Sequence, residues 1–388
     1  MKNFKEWFLS LSSKQKIWLW ETILLMILII IMGMLFSPKS FTSHHNSFSI
    51  SQNIGKIAPS LGVTRKSLAR ELGLSLDISK KDSLQKLGIS QEKLKHTIHH
   101  LRSHEDSILK YYIYFLLVLG GFIFMFRLGR PDNYDNTKRS IWYPRVIHIA
   151  FLGVSVTITG FLLGKSPNPM EGIVKVFKSM VGLYPDPLFK ILAFLFFLIL
   201  AIIGNKLICG WACPFGALQE LIYYIPVLRK FRYKKLPFIF TNTIRTGLFI
   251  LMLMMLFGIF GSKGFVLYHN LNPFNLFNFD IESFNMGIKI GIILIISFII
   301  YRPFCQIICP FGFISWVAEK MSLYRINIDK NKCINCGACS KVCPTDATKD
   351  IISNKIFSAD CFSCGRCLNI CPVDAIKYKP VSKQINLK

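Results

Sequence analysis

Six long apolar runs constrain this chain before anything else does: Ile17–Phe36, Tyr111–Phe126, Val146–Leu163, Leu188–Ile208, Thr243–Phe260 and Met286–Ile300. A bilayer-spanning helix needs about 20 mostly apolar residues, because only a helix or a closed barrel satisfies its backbone in lipid. Each run is read as one span, the shorter ones extending into their flanks. They account for a hydrophobic fraction of 52% with 34 Phe in a chain of formal charge +26, a combination foreign to a soluble protein of this charge. The first run is long for a signal peptide, and Ser37-Pro38-Lys39-Ser40 has no small-x-small cleavage pattern, so a retained signal anchor is expected.

The distribution of charge separates nucleic-acid binding from membrane topology. Lys2, Lys5, Lys14 and Lys16 precede the first run, and Arg127, Arg130, Lys138, Arg139 and Arg145 lie between the second and third. Lys206, Arg229, Lys230, Arg232, Lys234 and Lys235 follow, or end, the fourth. The positive-inside rule makes these segments cytoplasmic. The alternate loops are poorer: Lys165, Lys175 and Lys178 in one, Lys263 in the other. Six spans in an inner (cytoplasmic) membrane then place both termini, and residues 323–388 with them, on the cytoplasmic side, with residues 37–110 outside and no nucleic-acid partner.

Twelve cysteines fall into four clusters with none left over. The last eight read Cys333-x2-Cys336-x2-Cys339-x3-Cys343-Pro344 and Cys361-x2-Cys364-x2-Cys367-x3-Cys371-Pro372. This is the spacing with which bacterial two-cluster ferredoxins hold cubane [4Fe–4S] centres, the fourth cysteine of each run ligating the other cluster. The expected sets are Cys333, Cys336, Cys339 and Cys371 for one centre, and Cys361, Cys364, Cys367 and Cys343 for the second. Structural zinc comes as Cys pairs rather than as two four-Cys runs ending in Pro, and a reducing compartment disfavours disulfides.

The remaining four cysteines expose an internal repeat. Cys209-Gly-Trp-Ala-Cys213-Pro214-Phe215-Gly216 is echoed by Cys305-Gln-Ile-Ile-Cys309-Pro310-Phe311-Gly312. Each copy follows a span and precedes a short amphipathic stretch, Ala217–Tyr224 or Phe313–Lys320. Each has an Asn-Pro in its outer loop, Asn168-Pro169 or Asn272-Pro273. Two copies in the same orientation imply an approximate twofold axis along the membrane normal. That axis can bring Cys209, Cys213, Cys305 and Cys309 to one interface, where four thiolates suffice for a third Fe–S centre or a four-cysteine zinc site. If each pair lay on an α-helix, positions i and i+4 would share a face. The plainer alternative is that Pro214 and Pro310 only end helices.

Residues 53–110 read as a polar, Leu-punctuated helical module for docking a partner. Ile54–Leu72 has a superficial helix-turn-helix pattern, and Leu87-Gly-Ile-Ser repeats the theme of Leu61-Gly-Val-Thr. His96, His99, His100 and His104 cluster near its end, as a metal site or a solvated face. No Cys-x-x-Cys-His exists for covalent haem. His148, at the inner end of the third span, is a candidate acceptor for a quinol proton or a plain interfacial histidine. Arg302 either anchors at the interface or offsets the charge of a thiolate-ligated cluster.

Over about residues 127–378, the ordered set of four cysteine motifs resembles a family of membrane-bound polyferredoxins with two Cys-x3-Cys-Pro motifs before a two-cluster ferredoxin domain. The family includes the membrane quinol-dehydrogenase subunit of periplasmic nitrate reduction, the regulator-like electron donor of nitrous oxide reduction and the assembly factor of cbb3-type oxidase. The resemblance implies electron transfer between the quinone pool and a partner protein. The chain departs from it in two ways: residues 37–110 look unlike the flavin-binding domain of the nitrous-oxide type, and the sequence runs only to Lys388 where the oxidase-assembly type carries an extra domain.

The expected architecture is an α-helical membrane protein with an α+β ferredoxin-like domain at its end. Its parts are a signal anchor (1–36), an outer helical module (37–110), a membrane domain of five further spans with the tandem two-helix repeat (111–322), and a 2×[4Fe–4S] domain (323–388). The expected function is Fe–S electron transport with the quinone pool, as a quinol dehydrogenase component. A copper reductase or maturation factor, and a redox-sensing regulator using residues 53–110 as its output, are the alternatives.

Overall fold

The computed structural model describes residues 49–60, 68–69, 71–75, 78–79, 82–105, 108–128, 142–164, 167–180, 187–225, 235–257, 268, 272–278, 284–355 and 357–380. The first expected span, most of the basic residues between spans, residues 61–67 of the helix-turn-helix-like stretch, and the side chains of His99, His100 and His104 lie outside the described residues. His96 is exposed.

Residues 49–105 build a small core of their own. Helix α1 (Ile54–Ser60) and helix α2 (Gln91–Glu105) enclose Ile54, Ile57, Leu68, Leu72, Leu84, Leu94 and Ile98. The first and middle segments are tied by the Asn53–Ser83 bridge and by Ile54 N–H donating to the Asp82 carbonyl at 3.0 Å.

The body is helical: α3 (Ile108–Leu128), α4 (Trp142–Val154), which continues as a π-helix over Ser155–Leu162, α5 (Pro169–Met180), α6 (Pro187–Gly204), α7 (Pro214–Tyr224), α8 (Phe238–Leu256) and α9 (Phe284–Ile296). Leu109–Leu128 and Phe238–Leu256 are long and apolar enough to cross a membrane; Val146–Leu162, Lys190–Gly204 and Phe284–Ile296 are shorter apolar helices. Outward-facing Tyr112, Phe115, Leu119 and Ile123 on α3, and Ile288, Ile292 and Ile295 on α9, recur at helical spacing. Such bands of exposed apolar side chains suit contact with lipid rather than water. The α6 helix ends where Asn205 (φ 57°) and Lys206 (φ 62°) enter the left-handed region. That break ends the fourth run's helix at Gly204, whereas the third run continues through its π-helix to Leu162.

The chain closes with α10 (Pro303–Ile307), α11 (Pro310–Glu319) and a compact cysteine-rich unit: strands β1 (Tyr324–Ile328) and β2 (Ile376–Pro380) and helices α12 (Ala338–Val342), α13 (Ala347–Ile352) and α14 (Arg366–Ile370). The strands pair antiparallel, from Tyr324 opposite Pro380 to Ile328 opposite Ile376. The unit repeats its backbone internally. Asn335 and Ser363, Gly337 and Gly365, and Asp346 and Asp374 take positive φ at matching places in the two cysteine runs. These left-handed residues turn the chain tightly enough to wrap three cysteines round one point.

The unit is seated on the helical body. Tyr324 and Tyr378 meet Phe122 of α3 with ring centroids at 4.8 and 5.9 Å, and the Tyr378 hydroxyl donates to the Gly204 carbonyl. Trp211 Nε1 donates to the Ser363 carbonyl at 3.0 Å, and Ser363 Oγ donates to Asn205 O at 2.8 Å. Gly210 is required here, because a Cβ at this position would collide with the Phe362 carbonyl. Gly210→Ala is therefore expected to unseat the Cys361–Cys367 loop at a cost of about 1–3 kcal/mol, as overpacking usually does. A lowered unfolding temperature in detergent, with faster proteolysis within residues 323–380, is the expected reading; unchanged values for both would refute the seating.

Candidate iron–sulfur electron-transfer site

The eight cysteines of the closing unit face two cavities. Cys333, Cys336, Cys339 and Cys371 line one of about 190 Å3, and Cys343, Cys361, Cys364 and Cys367 line a narrower one of about 20 Å3. Each cavity thus takes three cysteines from one run and the fourth from the other. The fourth cysteines stand in extended backbone at the ends of α12 and α14 (Cys343 ψ 122°, Cys371 ψ 115°). Pro344 and Pro372 follow them, and the residue before a proline is pushed into this conformation.

The other four cysteines are also neighbours. Cys305 is near enough to Cys209 and Cys213 for charge on it to act on both thiols, and charge on any of the three acts on Cys309. The two members of each pair do not share one α-helix. Cys209 lies in a π-helical turn, Ile208–Ala212, and Cys305 lies in the five-residue α10. Cys213 and Cys309 are the N-caps of α7 and α11, each extended (ψ 115° and 120°) and each followed by Pro at the first helical position. The proline forbids a continuous helix, so the i, i+4 geometry gives way to a turn and a cap. Burial pushes the Cys209 thiol up to about 11 and Cys213 to about 12. Thiolates at this depth need a cation or metal to hold their charge.

Among the described residues no three His, Cys, Asp or Glu side chains close on a point as a single ion requires. All-thiolate sets spread round cavities, with no imidazole or carboxylate among them, fit iron–sulfur groups held by four cysteines.

Cations do surround the Cys209–Cys309 tetrad. Arg302 is fully buried, so it is no interface anchor. Its guanidinium donates to the Cys209 carbonyl and, at 2.8 Å, to the Gly210 carbonyl. Lys206, which falls at the inner end of the fourth apolar run, is 1% exposed and reaches Asp360 and the Gly312 carbonyl. Lys206 and Arg302 stand three residues before Cys209 and Cys305, and both have positive φ (62° and 46°). The repeat thus places a left-handed, buried cation at the same position in each half.

Two buried carboxylates answer these cations. Glu220 accepts from Arg302 Nε at 2.8 Å, Arg366 Nη2 at 2.7 Å and the Tyr301 hydroxyl at 2.6 Å. Burial alone would raise its pKa, but Arg302, with His148 and Arg366, brings it down to about 2. Asp360, next to Cys361, is held between Lys206 and Arg245 Nη1, the latter at 3.0 Å. Burial opposes its charge, and these two cations keep its pKa below the usual carboxylate range. Arg245 also donates to the Cys305 carbonyl at 3.2 Å.

His148 sits against this network. It is 1% exposed, its ring lies 4.5 Å from Trp211, and Nδ1 is 3.7 Å from Glu220 Oε1. Nε2 has no hydrogen-bond partner among the described residues.

Sequence reasoning missed Glu220, Arg245, Asp360 and Arg366. Arg245 carried a usable signal, since an ionisable residue inside an apolar span is a functional candidate by default. Glu220 falls in a stretch whose pattern predicts an amphipathic surface segment; α7 instead turns Gln219 and Glu220 fully inward.

Three family models match parts of the chain: a 4Fe-4S binding domain over residues 187–235, a 4Fe-4S dicluster domain over 303–347 and the LdpA Fe-S cluster-binding domain over 338–381. The chain is 27% identical over 205 residues to an uncharacterized protein of Methanocaldococcus jannaschii, covering 52% of this chain and 72% of that one. It is 31% identical over 169 residues to the ferredoxin-type protein NapH of Haemophilus influenzae, covering 41% of this chain and 55% of the relative. It is 29% identical over 192 residues to the methylamine utilization ferredoxin-type protein MauN of Methylorubrum extorquens, covering 47% and 64%. The chain thus spans between about half and two thirds of the length of the two named ferredoxin-type relatives. No solved structure matches it.

Removing one partner of a buried charge set strands the others, which costs roughly 3–5 kcal/mol. Glu220→Gln is expected to lower the unfolding temperature by that equivalent. The carboxylate's folded pKa of about 2 lies below its ordinary 4.5, so its stabilisation is complete above pH 4.5 and is lost as the pH falls through 2. A wild-type acid-unfolding curve with no carboxylate contribution in this window, matching that of Glu220→Gln, would contradict the assignment.

Proposed function

We propose, from the premise that the chain is a polyferredoxin with 4Fe–4S domains, that it carries electrons between the quinone pool of an inner membrane and a redox partner protein. The observation that carries this reading is the continuity of the three cysteine sets. The Cys361–Cys367 loop rests on the turn that holds Cys209, tied by Trp211 to Ser363 and by Arg366 to Glu220. It lines a cavity that shares Cys343 with the run leading to Cys333 and Cys336.

In this reading Cys333, Cys336, Cys339 and Cys371 hold one [4Fe–4S] group and Cys361, Cys364, Cys367 and Cys343 the second. Cys209, Cys213, Cys305 and Cys309 hold a third Fe–S centre. Such groups, when bound, take up and release single electrons without forming or breaking covalent bonds to a substrate. Arg302, Lys206 and Arg245 supply positive charge beside the tetrad and donate to the backbone that carries it, two of the factors that set reduction potentials. His148 is the residue for a quinol proton: its Nε2 is unpartnered among the described residues, and Glu220 faces Nδ1 to steady the imidazolium. Residues 1–36 serve as the anchor, 37–110 as an outer docking module and 111–322 as the lipid-embedded domain. Six spans leave both termini and residues 323–388 on the cytoplasmic side.

The test is to mix anaerobically purified protein with a menaquinol or ubiquinol analogue and follow reduction by EPR. Quinol reduction is expected in the wild type. Cys305→Ser is expected to lower iron and labile sulfide per chain by about a third, as loss of one of three cubanes would. Reduction by dithionite but by no quinol would reject the quinone pool as the donor. Unchanged iron and sulfide in Cys305→Ser would reject the third centre.

A further inference from the structure

The two cavities of the cysteine-rich unit differ in what they face. The second is closed by the chain itself: Tyr301, Phe362 and Arg366 line it, and Asp360 beside it is clamped by Lys206 and Arg245. The first lies at the opposite end of the β-ribbon. Tyr324 and Tyr378 meet α3 through Phe122, whereas the paired residues Ile328 and Ile376 line the cavity. Cys336 is exposed there, while Cys339 and Cys371 are buried.

The rim of this first cavity is apolar, and its surroundings are basic. Ile334 is 61% exposed and Val373 36%. Lys349 lines the cavity, Lys330 and Lys332 lead into Cys333, and Lys341 follows Cys339; all four are exposed. None of the four has an ion-pair partner among the described residues. The nearby carboxylates are fewer: Asp329 accepts from the Asn331 N–H, Asp350 is buried and pairs with Lys355, and Asp374 is half-buried.

An apolar centre ringed by a net excess of charge of one sign is how transient electron-transfer proteins recognise one another: the charge steers the encounter and the apolar patch excludes water over the exchange point. We infer that the face around Cys336, Ile334 and Val373 is the docking port for a soluble one-electron carrier protein with an acidic surface. This rests on the electron-transfer reading above and adds to it the partner's chemistry and its place of contact. In each encounter one electron crosses. The chain is oxidised by one electron as the carrier is reduced by one, or the reverse, and no bond or proton changes hands.

The test uses the full chain in nanodiscs of zwitterionic lipid, reduced and freed of excess dithionite, mixed in stopped flow with an oxidised acidic flavodoxin as the probe carrier. The second-order rate is expected to fall steeply between about 20 and 300 mM salt, as the screening length shortens. The triple variant Lys330→Glu, Lys332→Glu, Lys349→Glu is expected to lose about tenfold or more at low salt, the usual behaviour of rim charges that act on association. Lys93→Glu with Lys95→Glu, exposed charges of the 49–105 module, is the control and is expected to leave the rate unchanged. Iron and sulfide per chain, equal in all variants, exclude misfolding, and Lys349→Gln alone should give a smaller loss of the same kind.

A salt-independent rate, or one unaltered in the triple variant, would overturn the inference. So would a triple variant whose sole loss is binding to phosphatidylserine vesicles, which would make the lysines a lipid-facing patch. Wild-type protein without labile sulfide would instead sink the electron-transfer reading beneath it, a result distinguishable from loaded clusters with an insensitive rate.

Discussion

Two buried carboxylates, Glu220 and Asp360, hold the cysteine-rich end of this molecule to its helical body. Each is clamped by two cations from different segments: Glu220 by Arg302 and Arg366, and Asp360 by Lys206 and Arg245. Charges at this depth add little net stability, because the attraction mostly offsets desolvation. Their effect is on alternatives. Any other docking register strands at least one buried ion, so the seating of the Cys361–Cys367 loop against the Cys209 turn is fixed far more tightly than apolar packing alone would fix it. The clamps also cross the repeat: Arg302 of the second half binds Glu220 of the first, and Lys206 of the first lies 3.6 Å from Glu319 of the second. The tandem duplication is thus interlocked rather than merely adjacent.

The same clamps bear on redox chemistry. An iron–sulfur group held by the four thiolates would be a negative centre, and the buried guanidinium groups of Arg302 and Arg245 donate to the carbonyls of Cys209 and Cys305. Arg302 thus reaches across the repeat to the first cysteine of the other motif, while Arg245 serves the first cysteine of its own half. Positive charge held close in a low-dielectric site favours the more reduced, more negative state of such a centre. The left-handed backbone at Lys206 and Arg302 is the local strain through which these side chains turn inward at the foot of a helix.

Much of this was legible in the sequence, and the illegible part has a common cause. The eight-cysteine spacing prescribes which thiols can meet, because the two runs share one backbone geometry; the structure puts those cysteines round two cavities in the interleaved sets. The Cys-x3-Cys-Pro repeat likewise announced that four more cysteines would converge. It did not announce how, since Pro214 and Pro310 break the helix that i, i+4 spacing suggests. Burial of charge was the hardest to read. In sequence Lys206 is one more basic residue at the inner end of a span, and Glu220 belongs to the polar face of an amphipathic stretch. Nothing local marks a charged residue as buried when its counter-ions lie 82 and 146 residues away, as Arg302 and Arg366 do from Glu220. Of the six apolar runs, two form helices long enough to cross a membrane and three form shorter ones, one of them ended by the left-handed Asn205–Lys206 turn that composition does not reveal.

The central claim is that three cysteine sets form one connected path, with the Cys361–Cys367 loop in the middle. The most direct test is EPR of the fully reduced protein at low temperature. Adjacent paramagnetic centres broaden and split one another's signals, so the account predicts an interaction spectrum that simplifies when Cys364→Ser removes the middle centre. Three independent, unbroadened signals, or a spectrum that Cys364→Ser leaves coupled, would contradict it.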